Sequence, residues 1–354
     1  MELWTPSCAG VTAPIAFARL SIFVFFIVSN FGFRLPRRSG GVEAGASDLT
    51  GLMMDSSLRL TASVISFAKS LGLISVGFSR PQRPALYDFF LSRLAERKHA
   101  DMAWLERNLD VRADPFKLLE GCQTIISLAY PYPNVRHETE DGFRVARYAD
   151  PDREDYHFRL KKLGEDLCGW IQKPYPENRA RICVDSSPVQ EKGIAWQAGI
   201  GFIGKNTLLV IPGYGSYFFL VEILTTAAMQ YLPSEPVPDQ CGACARCLEA
   251  CPTGALEKPY QLNASKCLAY LTIEYKGDIG PELGPAMKKS FLGCDQCQEA
   301  CPFNKGARAT MVPMPSATAI LQMGEEDFKK RFGRTSLARP GLEKIKSNLR
   351  AARP

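Results

Sequence analysis

The stretch Cys241-Gly-Ala-Cys244-Ala-Arg-Cys247-Leu-Glu-Ala-Cys251-Pro252 decides how the second half of this 354-residue chain is organised. Three closely spaced thiolates wrap one iron–sulfur cubane, and the fourth, three residues on and followed by proline, crosses to another. A second run, Cys294-Asp-Gln-Cys297-Gln-Glu-Ala-Cys301-Pro302, has the same ending but lacks its first cysteine. Cys267, alone between the runs, can supply the missing ligand. The expected sets are Cys241, Cys244, Cys247 and Cys301 for one [4Fe-4S] cluster, and Cys251, Cys267, Cys294 and Cys297 for the other.

Zinc is the competing reading, since it takes tetrahedral C-x2-C pairs separated by a spacer. It explains neither the triplet nor the two Cys-Pro endings. The remaining cysteines, Cys8, Cys122, Cys168 and Cys183, are scattered and read as ordinary buried thiols rather than as a disulfide scaffold. Thiolate-bound iron calls for a reducing compartment, so the cytoplasm is expected. Two clusters conduct electrons without naming a reaction. A plain ferredoxin-like module needs only about residues 240–304, and most of the chain lies before it.

Working outward, the upstream segment alternates helical and extended patterns, as a mixed α/β domain does. Residues 58–72 have amphipathic helical spacing, 123–130 read as a strand, 158–171 as a helix and 181–184 as a short strand. Residues 207–211 and 217–224 read as a β-hairpin across Pro-Gly-Tyr-Gly-Ser. Farther upstream, the apolar stretch 14–33 is interrupted by Arg19, and its uncharged part is shorter than the ~20 residues a membrane span needs. Its charge order is wrong for export, because Arg34, Arg37 and Arg38 follow it. A Gly/Ala/Ser-rich linker comes next. Residues 1–52 are therefore expected to be a non-native or disordered extension, with translation starting at Met53 or Met54, and no stable membrane association is expected.

Downstream, residues 305–354 hold 11 Lys/Arg against 4 Asp/Glu, and the whole chain carries a net charge of +6. The basic excess is C-terminal, either a solvated helix face or a surface for a polyanion such as tRNA.

Gly199-Ile-Gly201-Phe-Ile-Gly204 matches the dinucleotide fingerprint G-x-G-x-x-G. The fingerprint has meaning only between a strand and a helix. Here a helix expected over 188–198 precedes it, so the glycines read as a helix C-cap and a tight loop into a strand. Nicotinamide binding is rejected, but Gly204-Lys205-Asn206 could let backbone approach a different flat cofactor.

These pieces combine with a further set of motifs. Arg147-Tyr148, Glu154-Asp155-Tyr156-His157, Val184-Asp185-Ser-Ser-Pro188, Glu191-Lys192, Gly204-Lys205-Asn206 and Gly215-Ser-Tyr-Phe-Phe-Leu220 resemble the epoxyqueuosine reductase family. So do Cys-Pro-Thr-Gly-Ala255, Cys267-Leu-Ala-Tyr-Leu-Thr-Ile-Glu274 and Gly293-Cys-Asp-Gln-Cys297, with all eight cysteines in the family's order. The resemblance runs from about Leu58 to the C-terminus.

It implies an α+β protein: a cobalamin-binding catalytic domain over 53–235, a ferredoxin-like module with two [4Fe-4S] clusters over 236–310 and a basic helical segment over 311–354. It implies an enzyme that deoxygenates the epoxide of epoxyqueuosine in a tRNA anticodon loop, using cobalamin and an external electron donor. By the motif, Asp185 is the proton donor, a carboxylic acid held neutral by a largely apolar pocket. Read without the resemblance, Val-Asp-Ser-Ser-Pro is also a strand-to-helix turn with Asp or Ser as cap. Arg112, Arg147, Asp185, Leu209, Leu220, Ala269 and Asp295 carry over as cobalamin contacts, with Met102 and Trp104 as further pocket residues. Asp155 and His157 form a second acid–base pair. Lys329, Lys330, Arg331, Arg334, Arg339, Lys344, Lys346 and Arg350 are available to tRNA phosphates. A monomer is expected. Two rival functions remain: a reductive dehalogenase, which also joins cobalamin to two cubanes, and a non-catalytic electron-transfer subunit.

Overall fold

Two eight-residue apolar runs, Thr-Ile-Ile-Ser-Leu-Ala-Tyr-Pro and Phe-Phe-Leu-Val-Glu-Ile-Leu-Thr, are long enough to be buried on both faces of a sheet, and they lie side by side at the centre of one. The structure is a computed structural model that describes residues 56–231, 235–304 and 310–353. The expected N-terminal extension and Cys8 lie outside these residues. From Ser56 onward the chain forms one compact unit. Its first part runs α1 (Ser56–Ser70), β1 (Ser75–Ser79), α2 (Tyr87–Ala95), α3 (Leu109–Ala113), β2 (Thr124–Pro131), β3 (Val135–Thr139), β4 (Arg144–Val145), α4 (Tyr156–Gln172), β5 (Ala180–Cys183), α5 (Glu191–Gln197), β6 (Phe202–Ile203), β7 (Leu209–Val210) and β8 (Phe218–Thr225).

The first sheet has the order β1-β2-β8-β5 with every neighbour antiparallel, and Thr124 faces Thr225 while Pro131 faces Phe218. Side chains alternate across it. Ile126, Leu128, Val221 and Ile223 meet Leu60 and Val64 of α1 and Leu160 and Leu167 of α4. Ile125 and Leu224 turn the other way onto Ile194 of α5, and Ala129 onto Ala195. The end of α5 comes so near the sheet that a Cβ on Gly77 of β1 would sit 2.4 Å from the Ala198 carbonyl oxygen. Only glycine fits there.

The expected hairpin over 207–224 does not form. β7 pairs with β6, the 212–216 turn is closed by the single Ile211–Gly215 bridge, and β8 enters the large sheet between β2 and β5. An apolar run covered on both faces gains more from a central position than from a two-stranded ribbon. The helix expected from Pro188 begins only at Glu191, and Gly199, at φ +72°, ends it as expected. Gly201 lies where a Cβ would meet the Val210 carbonyl oxygen at 2.3 Å, so this glycine permits the β6–β7 contact and serves no phosphate.

A second sheet has the order Ser290–Leu292, β4, β3, Thr310–Met314. Its two outer strands are parallel to their neighbours. It is built from all three expected segments, so they are knitted into one body rather than strung in series. Phe143, Val145, Phe291 and Leu292 pack there against Phe328, Phe332, Ile345 and Leu349 of the C-terminal helices. The C-terminal segment thus contributes core, and several of its charges are answered within the chain. Arg331 pairs with Asp152 at 2.5 Å, Arg334 with Glu154, Arg339 with Glu274 at 2.7 Å, and Lys344 donates to the Gly277 carbonyl at 2.6 Å. Lys329, Lys330 and Arg350 are exposed, and Arg334 is exposed beside its Glu154 partner. No helix among the described residues is long and apolar enough to cross a membrane.

Candidate active site

The cysteine loops turn at Gly242, Gly254 and Gly293, all at positive φ, which glycine accommodates without strain. Burial raises the thiols of Cys241, Cys247, Cys267, Cys294 and Cys297, and the sulfurs that each of these feels most strongly fall mainly into two groups. Cys241 faces Cys247, which faces Cys301 and Cys244. Cys267 feels Cys251, Cys294 feels Cys267, and Cys297 feels Cys294 and Cys267 first and Cys247, across the two groups, more weakly. Among the described residues, the only three metal-ligating side chains with donor atoms within 4.8 Å of one another are His137, Asp150 and Asp152. A zinc tetrathiolate would bring its sulfurs to about 3.8 Å, given Zn–S bonds of about 2.3 Å. No three of the described thiols lie that close together.

The Gly204–Lys205–Asn206 loop, offered above to a flat cofactor, docks on the first cysteine loop instead. The Lys205 backbone N–H points at Cys241 Sγ at 3.4 Å, and its Nζ donates to the carbonyls of Gly242 at 2.5 Å and Cys244 at 2.9 Å.

Across from these loops, Asp155 caps α4, accepting the His157 backbone N–H at 2.9 Å. The same oxygen lies 2.6 Å from His157 Nδ1, while Oδ2 accepts from the Ser336 hydroxyl at 2.8 Å. The other ring nitrogen, Nε2, is 3.0 Å from Asp185 Oδ2. That oxygen also receives the Tyr156 hydroxyl at 2.8 Å and the Arg339 guanidinium at 3.3 Å. Tyr156 is fixed by its ring stack on Phe219, with centroids 4.4 Å apart. Asp185 does not cap α5, which starts six residues later; it sits at φ +52°, a left-handed conformation that Asp tolerates better than most residues.

These contacts correct the expectation of a neutral carboxylic acid in an apolar pocket. Burial works to raise Asp185, but hydrogen bonds from His157 and Tyr156, with the charges of His157 and Arg339, bring it down to about 2. His157, bonded to Asp155 and then to Asp185, is pushed up to about 9. At neutral pH the proton between these groups belongs to the imidazole, and Asp185 is a carboxylate that shares it.

Asp185 looks into a cavity of about 970 Å³. Phe89, Phe90, Trp104 and Trp196 form apolar walls, and Phe89 and Trp104 are 43% and 40% exposed. Arg112 reaches the cavity wall, its guanidinium 5.8 Å from the Phe90 ring centre; it donates to the Arg107 and Trp104 carbonyls, leaving Asp110 to Lys117. Leu209 and Leu220 line a smaller space of about 190 Å³ that shares Asp185, Glu191 and Lys192 with the first.

The other carried-over contacts are elsewhere. Arg147, 5% exposed, binds Asp295 through its backbone N–H at 2.9 Å and its guanidinium at 3.1 Å, and Glu299 at 2.7 Å. Neither Arg147 nor Asp295 lines these two spaces, because a buried guanidinium and a buried carboxylate neutralise each other. Ala269 and Met102 line neither.

Four side chains in or beside this cluster were given no part in it by the sequence reading. Tyr156 and Glu191 stood within quoted motifs but without a role. Glu222 announced itself as the one acid in the apolar run of β8; it is fully buried, accepts the Ser127 hydroxyl at 2.5 Å and leaves its second oxygen without a partner. Burial holds its carboxyl well above the ordinary range. Arg339 was read only as a phosphate contact, because nothing in the sequence links it to Asp185, 154 residues away.

Cysteine loops able to hold two cubanes, next to a large apolar cavity with a proton-bearing cluster at its edge, define an iron–sulfur oxidoreductase. The family model for the 4Fe-4S double cluster binding domain matches residues 240–304, and that for epoxyqueuosine reductase QueG, DUF1730, matches residues 112–186. The epoxyqueuosine reductase of Cyclobacterium marinum is 34% identical over 302 residues, covering 82% of this chain and 94% of the relative. Among solved structures, an epoxyqueuosine reductase from Bacillus subtilis, described with its catalytic aspartate loop swung out of the active site, superposes with a TM-score of 0.71 at 30% identity, covering 83% of this chain and 81% of that one. An epoxyqueuosine reductase with an epoxyqueuosine-modified tyrosine tRNA stem loop gives 0.72 at 30% identity, covering 83% and 80%. The chain belongs to the epoxyqueuosine reductase family.

Proposed function

We propose that this chain reduces the epoxide of epoxyqueuosine in a tRNA anticodon loop to queuosine, with cobalamin in the 970 Å³ cavity and two [4Fe-4S] clusters on the eight cysteines. The observation that carries this reading is Asp185, with three donors on one oxygen, at the junction of the two spaces. The cavity fits a large, mostly apolar macrocycle: its volume is at the upper end for small-molecule sites, and its aromatic walls are uncovered. Arg112, Leu209, Leu220 and Lys192 would contact it. When bound, cobalamin supplies two-electron chemistry toward a carbon–oxygen bond, after electrons arrive singly through the clusters.

The chain's own residues manage the proton. Asp155 fixes the tautomer and orientation of His157, as a carboxylate behind a catalytic imidazole does, and His157 carries the charge. Asp185 presents that shared proton at the cavity, and Tyr156 and Arg339 hold its carboxylate in place. Arg339 is itself held by Glu274, seven residues after Cys267, so the C-terminal segment, the cluster module and the acid–base group meet at one residue. The division into a catalytic segment over 53–235, a cluster module over 236–310 and a basic segment over 311–354 is kept as a functional one. The exposed Lys329, Lys330, Arg334 and Arg350 suit phosphate contacts. An external electron donor, a monomeric state and a cytoplasmic location complete the reading.

The test is anaerobic reconstitution with iron, sulfide and cobalamin, then reduction and assay of epoxyqueuosine-containing tRNA, comparing wild type with Asp185→Ala. Conversion by the wild type alone supports both reaction and residue. A cobalamin-loaded wild type that spares the tRNA and consumes an organohalide would favour the dehalogenase reading. Failure to bind cobalamin would leave an electron-transfer subunit.

A further inference from the structure

Deoxygenating an epoxide breaks two carbon–oxygen bonds, forms a carbon–carbon double bond and releases the oxygen as water, taking up two electrons and two protons. This count rests on the function proposed above. The electrons come from the external donor through the clusters; the protons need positioned donors. With His157 charged and Asp155 and Asp185 both ionised, that chain of three has one proton to give, after which the imidazole is neutral. A second donor is required.

Glu191 stands beside the chain but outside it. Its Oε1 accepts the Asp185 backbone N–H at 2.7 Å, and with Asp185 and Lys192 it is one of three residues lining both spaces. The ionisable groups around it come from several elements: Asp185 in the turn, His157 on α4, Lys192 on its own helix, Arg112 on α3, Cys183 at the end of β5 and Glu222 on β8. None of the hydrogen bonds recorded among the described residues joins the Glu191 carboxylate to a cationic side chain: Lys192 Nζ goes to the Thr207 carbonyl at 2.9 Å, and Arg112 to the Trp104 and Arg107 carbonyls.

We propose that Glu191 is the second proton donor of this site, protonating the departing oxygen after His157 and Asp185 have given up the first proton. Its environment keeps the acid form available. Crowding by the protein and then the charge of Asp185 push its carboxyl up to about 8, so at neutral pH Glu191 holds a proton while its neighbour Asp185 does not. The two carboxyl groups at the cavity therefore do different jobs, one relaying and one storing. After turnover both recover protons from water entering the open cavity.

Glu191→Gln tests this, because the amide carbonyl can still accept the Asp185 N–H. In the reconstituted holoenzyme, an infrared titration of the neutral carboxyl band should show a transition near about 8 in wild type that is missing in the variant. In single turnover the variant should be about 100-fold or more slower at neutral pH, the usual effect of losing one general acid. The alkaline fall in its rate should move from about 8 to about 9, where His157 is left in control, with tRNA affinity unchanged. A variant that converts tRNA at the wild-type rate with the wild-type alkaline limb, or a wild type without the infrared transition, overturns the proposal. A wild type that converts no tRNA removes the proposed function itself, and the second proton with it.

Discussion

Nε2 of His157 lies 3.0 Å from Oδ2 of Asp185, 28 residues later in the chain, and this contact turns an aspartate at the cavity edge into one end of a shared-proton pair. Asp155 holds the other ring nitrogen at 2.6 Å. Asp155→Asn removes the larger support of the imidazolium, so His157 should titrate well below about 9, nearer the ~6.5 of an unperturbed imidazole. Nuclear magnetic resonance of the ring protons against pH would read this directly.

Asp185→Asn should slow conversion about 100-fold or more, the usual effect of losing a positioned acid–base group. Cobalamin loading should be unchanged, since Asp185 is one residue in a large wall. A loss of loading equal to the loss of rate would make Asp185 a binding residue only.

The pH dependence of stability follows from the same pair. His157 is raised in the folded chain, so its contribution is fully present below ~6.5 and fades as pH rises through about 9. Asp185 is lowered, so its contribution is present above ~3.9 and is lost as pH falls through about 2. Thermal midpoints measured from acid to alkaline pH should show the alkaline decline blunted in His157→Gln.

Arg339→Ala and Lys329→Ala should separate two roles of the C-terminal segment. Arg339 bridges Asp185 and Glu274, so its loss should lower the turnover rate while leaving the salt dependence of tRNA binding alone. Loss of exposed Lys329 should leave the rate and, if it meets a phosphate, reduce the slope of log affinity against log salt by about 0.7 to 0.9. Ile345→Ala, at a fully buried position in the last helix, should cost about 2–5 kcal/mol in chemical denaturation, because that helix is core.

Cys267→Ser should reduce bound iron from about eight to about four atoms per chain, since Cys267 is one of four ligands of a single cluster in the proposed arrangement. Lys205→Ala should lower the potential of the other cluster, because a positive charge clamped to its loop favours the reduced form. Electron paramagnetic resonance during a redox titration would separate the two signals.

The sequence by itself determined the metal chemistry and the central strands. Cysteine spacing is local, and β2 and the helix α4 are written in runs of eight or more residues whose periodicity leaves little choice. The glycine fingerprint could be dismissed for the same reason, since a helix visibly came before it. Tertiary structure alone decided the partners. β8 left its expected hairpin because burial on two faces outweighs a nearby turn. The basic segment became core and brought Arg339 to Asp185 across 154 residues. The protonation of Asp185 was likewise beyond the sequence, which named the residue but not the tyrosine, imidazole and guanidinium that converge on one of its oxygens. A carboxyl's charge is set by the groups that surround it in space, and only folding brings those together.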